Sequence, residues 1–313
     1  SILNMYYERA IKDIENDYVF VLSNSIFSPQ PNIEIMQFSW IKKSWFFRLY
    51  FDYFIAPKIV KKIKADKVIS LQNIIIPRVK VFQTVYMHQP LPFIEKRFKF
   101  KENRLLWVYQ NIIGKMIIKS LKKADEIIVQ TKWIKTACQK AAKIPAEKII
   151  LQMPPLDLDI KKRYIQTNST KKTFFYPATA LFYKNHKIII EAALLLKQEG
   201  INDYSIYLTV TGDENEEIRL IKEKSRQNEL PINFLGSIKR EEVFEWYSKS
   251  VLLFPSYVES CGLPLLEARN HGTPVIAADT LFSREILDEY SNNFFDYDDA
   301  KKLSEIMKTF IQD

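Results

Sequence analysis

Apolar positions recur at two spacings along this chain, and the change from one to the other marks out its elements. Ile2, Met5, Tyr6, Ala10 and Ile11 fall near helical spacing, so a helix is predicted over 1–14. The unbroken apolar run Tyr18-Val19-Phe20-Val21-Leu22 reads as a strand. Further strands are predicted at 33–36, 68–71, 81–87 and 126–129, with helices between them, notably over 58–67 and 103–122. Strands and helices alternating in this way build a parallel sheet with helices on both faces. Such doubly wound folds open on a strand, whereas this pattern opens on a helix. The expectation is a start just after a first strand and loop.

The pattern breaks at Met153-Pro154-Pro155, and the following residues to Lys172 are polar and charged. It then restarts: strand 174–176, helix 187–199, strand 206–211, helix 214–226, strand 233–235, helix 241–249. Strand 251–254, helix 264–271, strand 274–277 and two terminal helices complete it. Two α/β domains, 1–155 and 156–313, are expected, each a doubly wound Rossmann-like unit. A length of 313 residues suits two domains of ordinary size.

Composition narrows the class. With 47% hydrophobic and 27% charged residues, the chain is globular rather than disordered. No apolar run reaches the roughly 18 residues of a spanning helix, and the N-terminus lacks the order of a secretory signal. A cytoplasmic protein is expected, with Cys138 and Cys261 as reduced thiols rather than a disulfide or zinc framework. Net charge is +9 but unevenly spread: residues 1–165 carry 29 basic and 14 acidic side chains, +15 net, and the remainder carries −6. A basic half concentrates anions, whether lipid headgroups, pyrophosphate-bearing acceptors or nucleic acid. No recognised nucleic-acid module accompanies it, so nucleic acid is not an expected partner.

Glycine placement locates the ligand. Gly114 is the one glycine of the first half, whereas Gly212, Gly236 and Gly262 of the second all follow predicted strands, the sheet edge where open parallel sheets bind ligands. Gly212-Asp213 fits a role in shaping that edge. The densest signal is Phe254-Pro255-Ser256-Tyr257-Val258-Glu259-Ser260-Cys261-Gly262-Leu263-Pro264-Leu265-Leu266-Glu267. A strand ends, a glycine loop follows, and Pro264 suits a first helical turn. Backbone N–H groups around Cys261, Gly262, Leu263 and Leu265, with the helix dipole behind them, form a place for a diphosphate. Glu259 and Glu267 flank it, and hydroxyls are natural partners for such carboxylates.

This segment resembles the E-x7-E signature of retaining GT-B glycosyltransferases of family 4, and the similarity extends over nearly the whole chain. The resemblance implies two Rossmann-like domains facing a cleft, an acceptor domain at 1–155 and a nucleotide-sugar donor domain at 156–313. It implies that Glu259 contacts the transferred sugar and Glu267 the ribose. The run His271-Gly272-Thr273-Pro274-Val275-Ile276-Ala277 resembles the family's helix-to-strand step, and Glu285 stands where a Glu is frequent. The loop Gly236-Ser237-Ile238 resembles the base-binding loop, where backbone groups would read the nucleobase edge.

A second element is Tyr176-Pro177-Ala178-Thr179-Ala180-Leu181-Phe182-Tyr183-Lys184-Asn185-His186-Lys187. A lysine here can neutralise the diphosphate on which charge builds as the glycosidic bond breaks, and Lys184 is the candidate. Family members usually place an Arg a few residues ahead. No basic residue lies between Pro177 and Tyr183, which leaves Thr179 to offer a weaker hydrogen bond. In the first half, His88 of Val85-Tyr86-Met87-His88-Gln89-Pro90 follows a buried-looking strand, and similar enzymes have a His here that contacts the donor sugar. A hydrogen-bonded loop histidine fits the same position. Thr131, in Ile128-Val129-Gln130-Thr131-Lys132-Trp133, fits a helix N-cap.

No cofactor or metal is expected. Asp157-Leu158-Asp159 matches the short D-x-D pattern of Mn2+ sites but falls in the inter-domain connection, and His88, His186 and His271 lack zinc spacing. Aromatic and basic residues interleave from Trp45 to Phe54 and through Lys58, Lys61, Lys62 and Lys64. Such a stretch is either a core-facing helix with a solvated basic face or a peripheral contact with anionic membrane. The expected partners are a UDP-, GDP- or ADP-sugar donor and a glycan or polyprenyl-linked acceptor in bacterial surface-polysaccharide assembly. A non-catalytic nucleotide-sugar or glycan binder, a sugar-nucleotide epimerase and a phosphorylase remain open alternatives.

Overall fold

The computed structural model describes residues 2–24, 26–154 and 160–312, so the Asp157-Leu158-Asp159 triplet lies outside the described residues. The chain divides into two compact units, Ser1–Pro155 and Leu156–Asp313.

Unit 1 runs α1 (Ile2–Lys12), β1 (Tyr18–Leu22), β2 (Ile33–Gln37), α2 (Trp45–Tyr50), α3 (Ala56–Lys62), β3 (Lys67–Ser70) and β4 (Phe82–Met87). It continues through α4 (Arg104–Val108), α5 (Gly114–Lys123), β5 (Glu126–Val129), α6 (Lys132–Ala142) and β6 (Ile149–Leu151). The strands form two parallel sheets, β1-β2 and β3-β4-β5-β6. β4 and β5 are the interior strands of the larger sheet: Val85, Tyr86 and Met87 of β4 are wholly buried, and Val85 and Met87 join Ile117 and Leu121 of α5, Ile127 and Val129 of β5, and Ile134 and Cys138 of α6 in one core. Cys138 is a free, buried thiol whose pKa burial pushes up to about 12, as expected of an inert apolar side chain. Thr131 holds the N-cap position of α6 with extended backbone, but its side chain makes no capping hydrogen bond.

The helix predicted over 58–67 is part of a longer rod. α2, a π turn at Phe51–Ile55 and α3 follow without a break, and the rod ends before Lys64, which turns left-handed (φ 51°) ahead of β3. Pro57 explains the π turn. A proline inside an α-helix lacks an N–H and presses on the carbonyl four residues back, and widening the preceding turn relieves both problems; accordingly Ala56 N–H reaches back five residues to Phe51 O. The rod buries little. Ile41, Phe51 and Ala56 form a small core, whereas Trp45, Phe46, Phe47, Leu49, Tyr50, Tyr53 and Phe54 are all exposed, Phe46 by 72%. The core-facing reading of this stretch therefore does not hold for most of its aromatics.

Unit 2 runs β7 (Thr173–Tyr176), α7 (His186–Gln198), β8 (Ser205–Leu208), α8 (Glu216–Gln227), β9 (Ile232–Phe234), α9 (Arg240–Tyr247) and β10 (Val251–Phe254). α10 (Leu263–His271), β11 (Val275–Ala278), α11 (Leu281–Leu287), β12 (Phe294–Phe295) and α12 (Ala300–Gln312) follow. Its six strands are parallel in the order β12-β11-β10-β7-β8-β9. The apolar runs of β7, β10 and β11 are buried along their length, as strands covered on both faces must be. The predicted strand 206–211 stops at Leu208 and the helix predicted from 214 begins at 216. Glu214 turns its carboxylate back to accept the N–H groups of Thr211 (2.5 Å) and Gly212 (3.1 Å), and Asn215 caps α8 through Ile218 N–H. This local competition for backbone donors ends the strand early and delays the helix. Gly212-Asp213 sits in that turn, with Lys222 Nζ bonded to Thr211 O and paired with Asp213.

Candidate functional site

The chain leaves β7 toward β8 and β9 on one side of the sheet, then returns to β10, β11 and β12 on the other. The order therefore reverses between β7 and β10. At such a switch point the loops beyond the strand ends diverge and leave room for a ligand. The two loops there are 177–185 and 255–262, which carry Lys184 and Glu259.

These two side chains form a direct ion pair between Lys184 Nζ and Glu259 Oε1, each largely shielded from solvent. Ser256 Oγ donates to the same carboxylate oxygen at 2.8 Å. The loops are fixed from behind. Tyr176 OH donates to Lys184 O (2.8 Å), Tyr257 N–H to Tyr183 O (3.2 Å), and Asn185, itself left-handed at φ 58°, donates from Nδ2 to Tyr297 O (2.7 Å). Lys184 is thus held where it stands by main-chain contacts as well as by its partner.

Gly262 is the N-cap of α10 at φ 72°, a conformation disfavoured for residues with a side chain, and a Cβ there would meet Leu265 Cδ1 at 3.3 Å and Phe282 Cδ2 at 3.4 Å. The expected cradle of amides is narrower than the sequence suggested. Leu265 N–H is already donated to Gly262 O at 2.9 Å, because the first turn closes on itself, and Leu265's side chain is wholly buried. Pro264 has no N–H, so of the expected amides those of Cys261, Gly262 and Leu263 are the ones not consumed by the first turn of α10. Cys261 is a buried free thiol, pushed up to about 12 by burial first and by the charges of Glu285 and Glu259 second. It stays protonated at neutral pH and shapes the loop as a small neutral side chain. Glu285 itself lies on α11.

Glu267, one helical turn inside α10, is tied through both oxygens: Arg240 Nη2 donates to Oε1 (2.9 Å) and Tyr247 OH to Oε2 (3.1 Å). Trp246 stacks on Phe175 of β7 at 5.3 Å, holding α9 against the sheet with Tyr247 turned inward. Burial, then the Glu267 charge, holds the Tyr247 phenol protonated. Thr179, Ser237 and Ile238 come together in one cavity of about 240 Å3, completed by Pro177, Ala178, Thr209 and Val243. Thr209 Oγ1 accepts from Ala178 N–H (2.9 Å) and so pins one wall to the end of β8. Gly236, left-handed at φ 72°, opens the other wall, where a Cβ would approach Thr211 to 3.2 Å. A second cavity, of about 280 Å3 at β12 and α12, holds none of these residues.

His271 has a packing role: its ring lies among Phe244 and Tyr247, and Nδ1 is 2.7 Å from Glu267 O. His88 belongs to unit 1, just past β4, half-buried and bonded to Asn73. The residues that sequence reasoning missed are Ser256, Arg240, Tyr247, Thr209 and Asn73. Ser256 was legible as a hydroxyl three residues before Glu259; Arg240, Tyr247 and Thr209 reach the unit 2 residues from separate elements, Asn73 reaches only His88 and Gln89 within unit 1, and none of the four left a local pattern. Among the described residues no group of three or more acidic, His or Cys side chains is arranged to hold a metal ion, and no helix is long and apolar enough to cross a membrane.

A parallel α/β unit with paired Lys and Glu at its switch point, a glycine-capped helix and a pocket among its strand-end loops marks a candidate ligand site, and comparison with known proteins narrows its class. Residues 159–313, nearly the whole of unit 2, match the family described as "Glycosyl transferases group 1". Over 246 residues, 76% of this chain, the sequence is 25% identical to the O-antigen chain mannosyltransferase RfbU of Salmonella typhimurium, of which it spans 63%. The structure resembles WaaG, a glycosyltransferase involved in lipopolysaccharide biosynthesis, at a TM-score of 0.71, 14% identity and coverage of 100% and 86% of the two chains. It also resembles Anabaena HepE in complex with UDP-glucose, at 0.66, 14%, and 94% and 90%. These likenesses give the chain the GT-B fold.

Proposed function

We propose that this protein is a retaining glycosyltransferase of family 4 type that moves a sugar from a nucleotide-sugar donor to a glycan or polyprenyl-linked acceptor, in the assembly of a bacterial surface polysaccharide. The Lys184–Glu259 pair beside the Gly262 cap carries the reading. It brings a positive charge, the amides of the Gly262 loop and a carboxylate to one sheet edge, with Glu267 and the Thr179–Ser237–Ile238 cavity in the same unit. The name of RfbU and the UDP-glucose bound by HepE support the substrate class.

In this mechanism the nucleobase occupies the cavity and Glu267 takes the ribose hydroxyls, exchanging its bonds to Arg240 or Tyr247 for them. The diphosphate lies against Gly262 and Leu263 N–H and draws Lys184 away from Glu259. Glu259, released, accepts from hydroxyls of the sugar. The bond from the anomeric carbon to the phosphate oxygen breaks and its electron pair leaves with the nucleoside diphosphate. The acceptor oxygen then bonds to the same carbon from the same face, and its proton passes to the departing phosphate oxygen. Charge on that oxygen is met by Lys184 and the amides, preorganised donors of the kind that contribute most to such rates. The charge they supply makes turnover without an added divalent cation the expectation, and chelation should leave it unchanged. His88 contacts the donor sugar. The exposed aromatics of 45–54, beside Lys42, Lys43 and Lys58, extend the proposal to a peripheral contact with anionic lipid, where a lipid-linked acceptor would be met.

The test uses purified protein, a panel of UDP-, GDP- and ADP-sugars, and crude lipid and glycan acceptors, with release of nucleoside diphosphate as the readout. Acceptor-dependent release with retained anomeric configuration, lowered about a hundredfold or more by Glu259→Ala, is the expected result. Thermal stabilisation by donor without turnover would instead mark a binding protein. Interconversion of sugar nucleotides without acceptor would mark an epimerase, and a requirement for inorganic phosphate a phosphorylase.

A further inference from the structure

Glu267 is bonded to two side chains in different surroundings, and the difference decides which of them a ribose can displace. Tyr247 donates from its OH to Oε2 at 3.1 Å, and Arg240 from Nη2 to Oε1 at 2.9 Å. Tyr247 ends α9 and is wholly buried. Its ring lies among those of Phe175 (6.1 Å), Phe244 (6.3 Å) and His271 (5.4 Å), and its carbonyl accepts from Thr273 Oγ1 at 2.6 Å. Arg240 opens the same helix with half of its side chain in solvent, its guanidinium 5.0 Å from the centre of the Phe244 ring. The Glu267 side chain between them is shielded but not sealed, at 13% exposure.

Releasing the two partners has unequal cost. Burial, then the Glu267 charge, keeps the Tyr247 phenol protonated, so it is a permanent donor. Parted from Oε2, it would be a buried hydroxyl stripped of its acceptor, an imbalance of about tenfold to a hundredfold in an equilibrium constant. Arg240 parted from Oε1 turns into water while keeping its place over Phe244, and exposed ion pairs of this kind are worth about fivefold or less. The main chain of Glu267 is fixed as well: its carbonyl can only accept, so His271 Nδ1, at 2.7 Å, carries the ring proton and donates to it. Val243, three residues on from Arg240 and so on the same face of α9, lines the cavity assigned to the nucleobase. Exchange at Oε1 therefore takes place beside the base.

We propose that Tyr247 is a positioning residue that keeps Glu267 turned toward the ribose with and without donor, and that Arg240 guards Oε1 until the ribose hydroxyls replace it. The proposal rests on the reading of Glu267 as the ribose contact. It makes α9 the element that tunes donor affinity: its buried end holds the carboxylate and its exposed end competes for it.

Calorimetry on the whole chain tests this, with UDP, GDP and ADP and the 2′,3′-dideoxy form of each as probes. The readout is the ratio of affinities, ribose form over dideoxy form, for the base that binds; general damage lowers both affinities and leaves the ratio alone. The wild type should favour the ribose form about tenfold or more, as hydrogen bonds to a charged group do. Tyr247→Phe keeps the ring and removes the donor, so the ratio should fall about threefold to tenfold while the dideoxy affinity stays within about twofold. Arg240→Ala removes the competitor, and the ratio should rise about twofold to fivefold. A Tyr247→Phe protein with the wild-type ratio, or one that loses both forms in parallel, would reduce Tyr247 to packing and overturn its positioning role. An unchanged or lower ratio in Arg240→Ala would overturn the exchange at Oε1. A full ratio in Glu267→Ala, or no preference for ribose in the wild type, would instead overturn the ribose reading itself.

Discussion

Both units are parallel α/β structures, yet they spend their apolar sequence differently. Unit 2 encloses β7, β10 and β11 on both faces in a single six-stranded sheet and sets the largely shielded Lys184–Glu259 pair at one strand edge. Unit 1 divides its strands between two sheets, stiffens them with helices interrupted by π turns, and leaves a row of aromatics on its surface. The difference separates two kinds of task. A closed sheet with a topological reversal holds polar groups at fixed distances, which chemistry on a small ligand needs. An open, aromatic and basic surface suits a large, soft or variable partner.

The largest effect should come from breaking the polar pair of unit 2. Lys184→Ala and Glu259→Ala are each expected to lower kcat about 10²–10³-fold, read as nucleoside diphosphate release. The double variant should be little worse than either single one, because each side chain orients the other. Multiplicative losses would show that the two act separately, and near-wild-type turnover in either single variant would remove unit 2 as the catalytic half.

Next in size is a pH effect confined to unit 2. His186, at the start of α7, is buried, its Nε2 has no partner among the described residues, and its ring lies 5.0 Å from that of Tyr176. Burial first, then the Lys184 charge, lowers its pKa from 6.5 to about 4. The folded state therefore resists protonation that the unfolded chain accepts. Its stabilising share is fully present above pH 6.5 and is lost as pH falls toward 4, on the order of 3 kcal/mol. His186→Phe should lack this component. The difference in unfolding free energy between wild type and variant should change by that amount from pH 7.5 to pH 4.5, while the carboxylates titrate alike in both. A constant difference would mean the ring is solvated.

Gly262→Ala tests the backbone rather than a charge. At φ 72°, with Leu265 and Phe282 within 3.4 Å of a Cβ, the substitution should cost about 1–2 kcal/mol of stability and weaken donor binding by displacing the amides of the cap. Unchanged calorimetric affinity would show that the anion does not lie there.

What the sequence disclosed tracks how local each feature is. Strand and helix alternation, the break after Met153 and the run from Phe254 to Glu267 are contiguous signals, and the structure keeps them. Lys184 and Glu259 stand 75 residues apart, and only the reversed strand order brings them together. Leu265 shows the opposite case: it lies inside the motif, yet the first turn of α10 consumes its amide. Glu214 shortened a strand and a helix by taking backbone donors that periodicity assigns to regular structure. The aromatic stretch 45–54 misled because helical spacing tells how side chains are arranged around a helix, not which face meets a core.

That stretch carries the smallest expected effect on the fold and the sharpest test of the contrast between the units. Phe46 is 72% exposed, Phe54 is 50% exposed, and α2 has no buried residue, so Phe46→Ser and Phe54→Ser should each change unfolding free energy by less than about 0.5 kcal/mol. In co-sedimentation with vesicles containing phosphatidylglycerol, each should lower partitioning about fivefold, or about 1 kcal/mol, the share of a phenyl ring partly withdrawn from water at the headgroup boundary. Lys42→Gln with Lys43→Gln should act only on the anionic vesicles and only at low salt, since exposed charges are screened over about 10 Å at 0.1 M. Turnover on a water-soluble acceptor should not move in any of these variants. If partitioning stays unchanged while stability falls by several kcal/mol, the aromatics pack within the protein and the contrast between the units disappears.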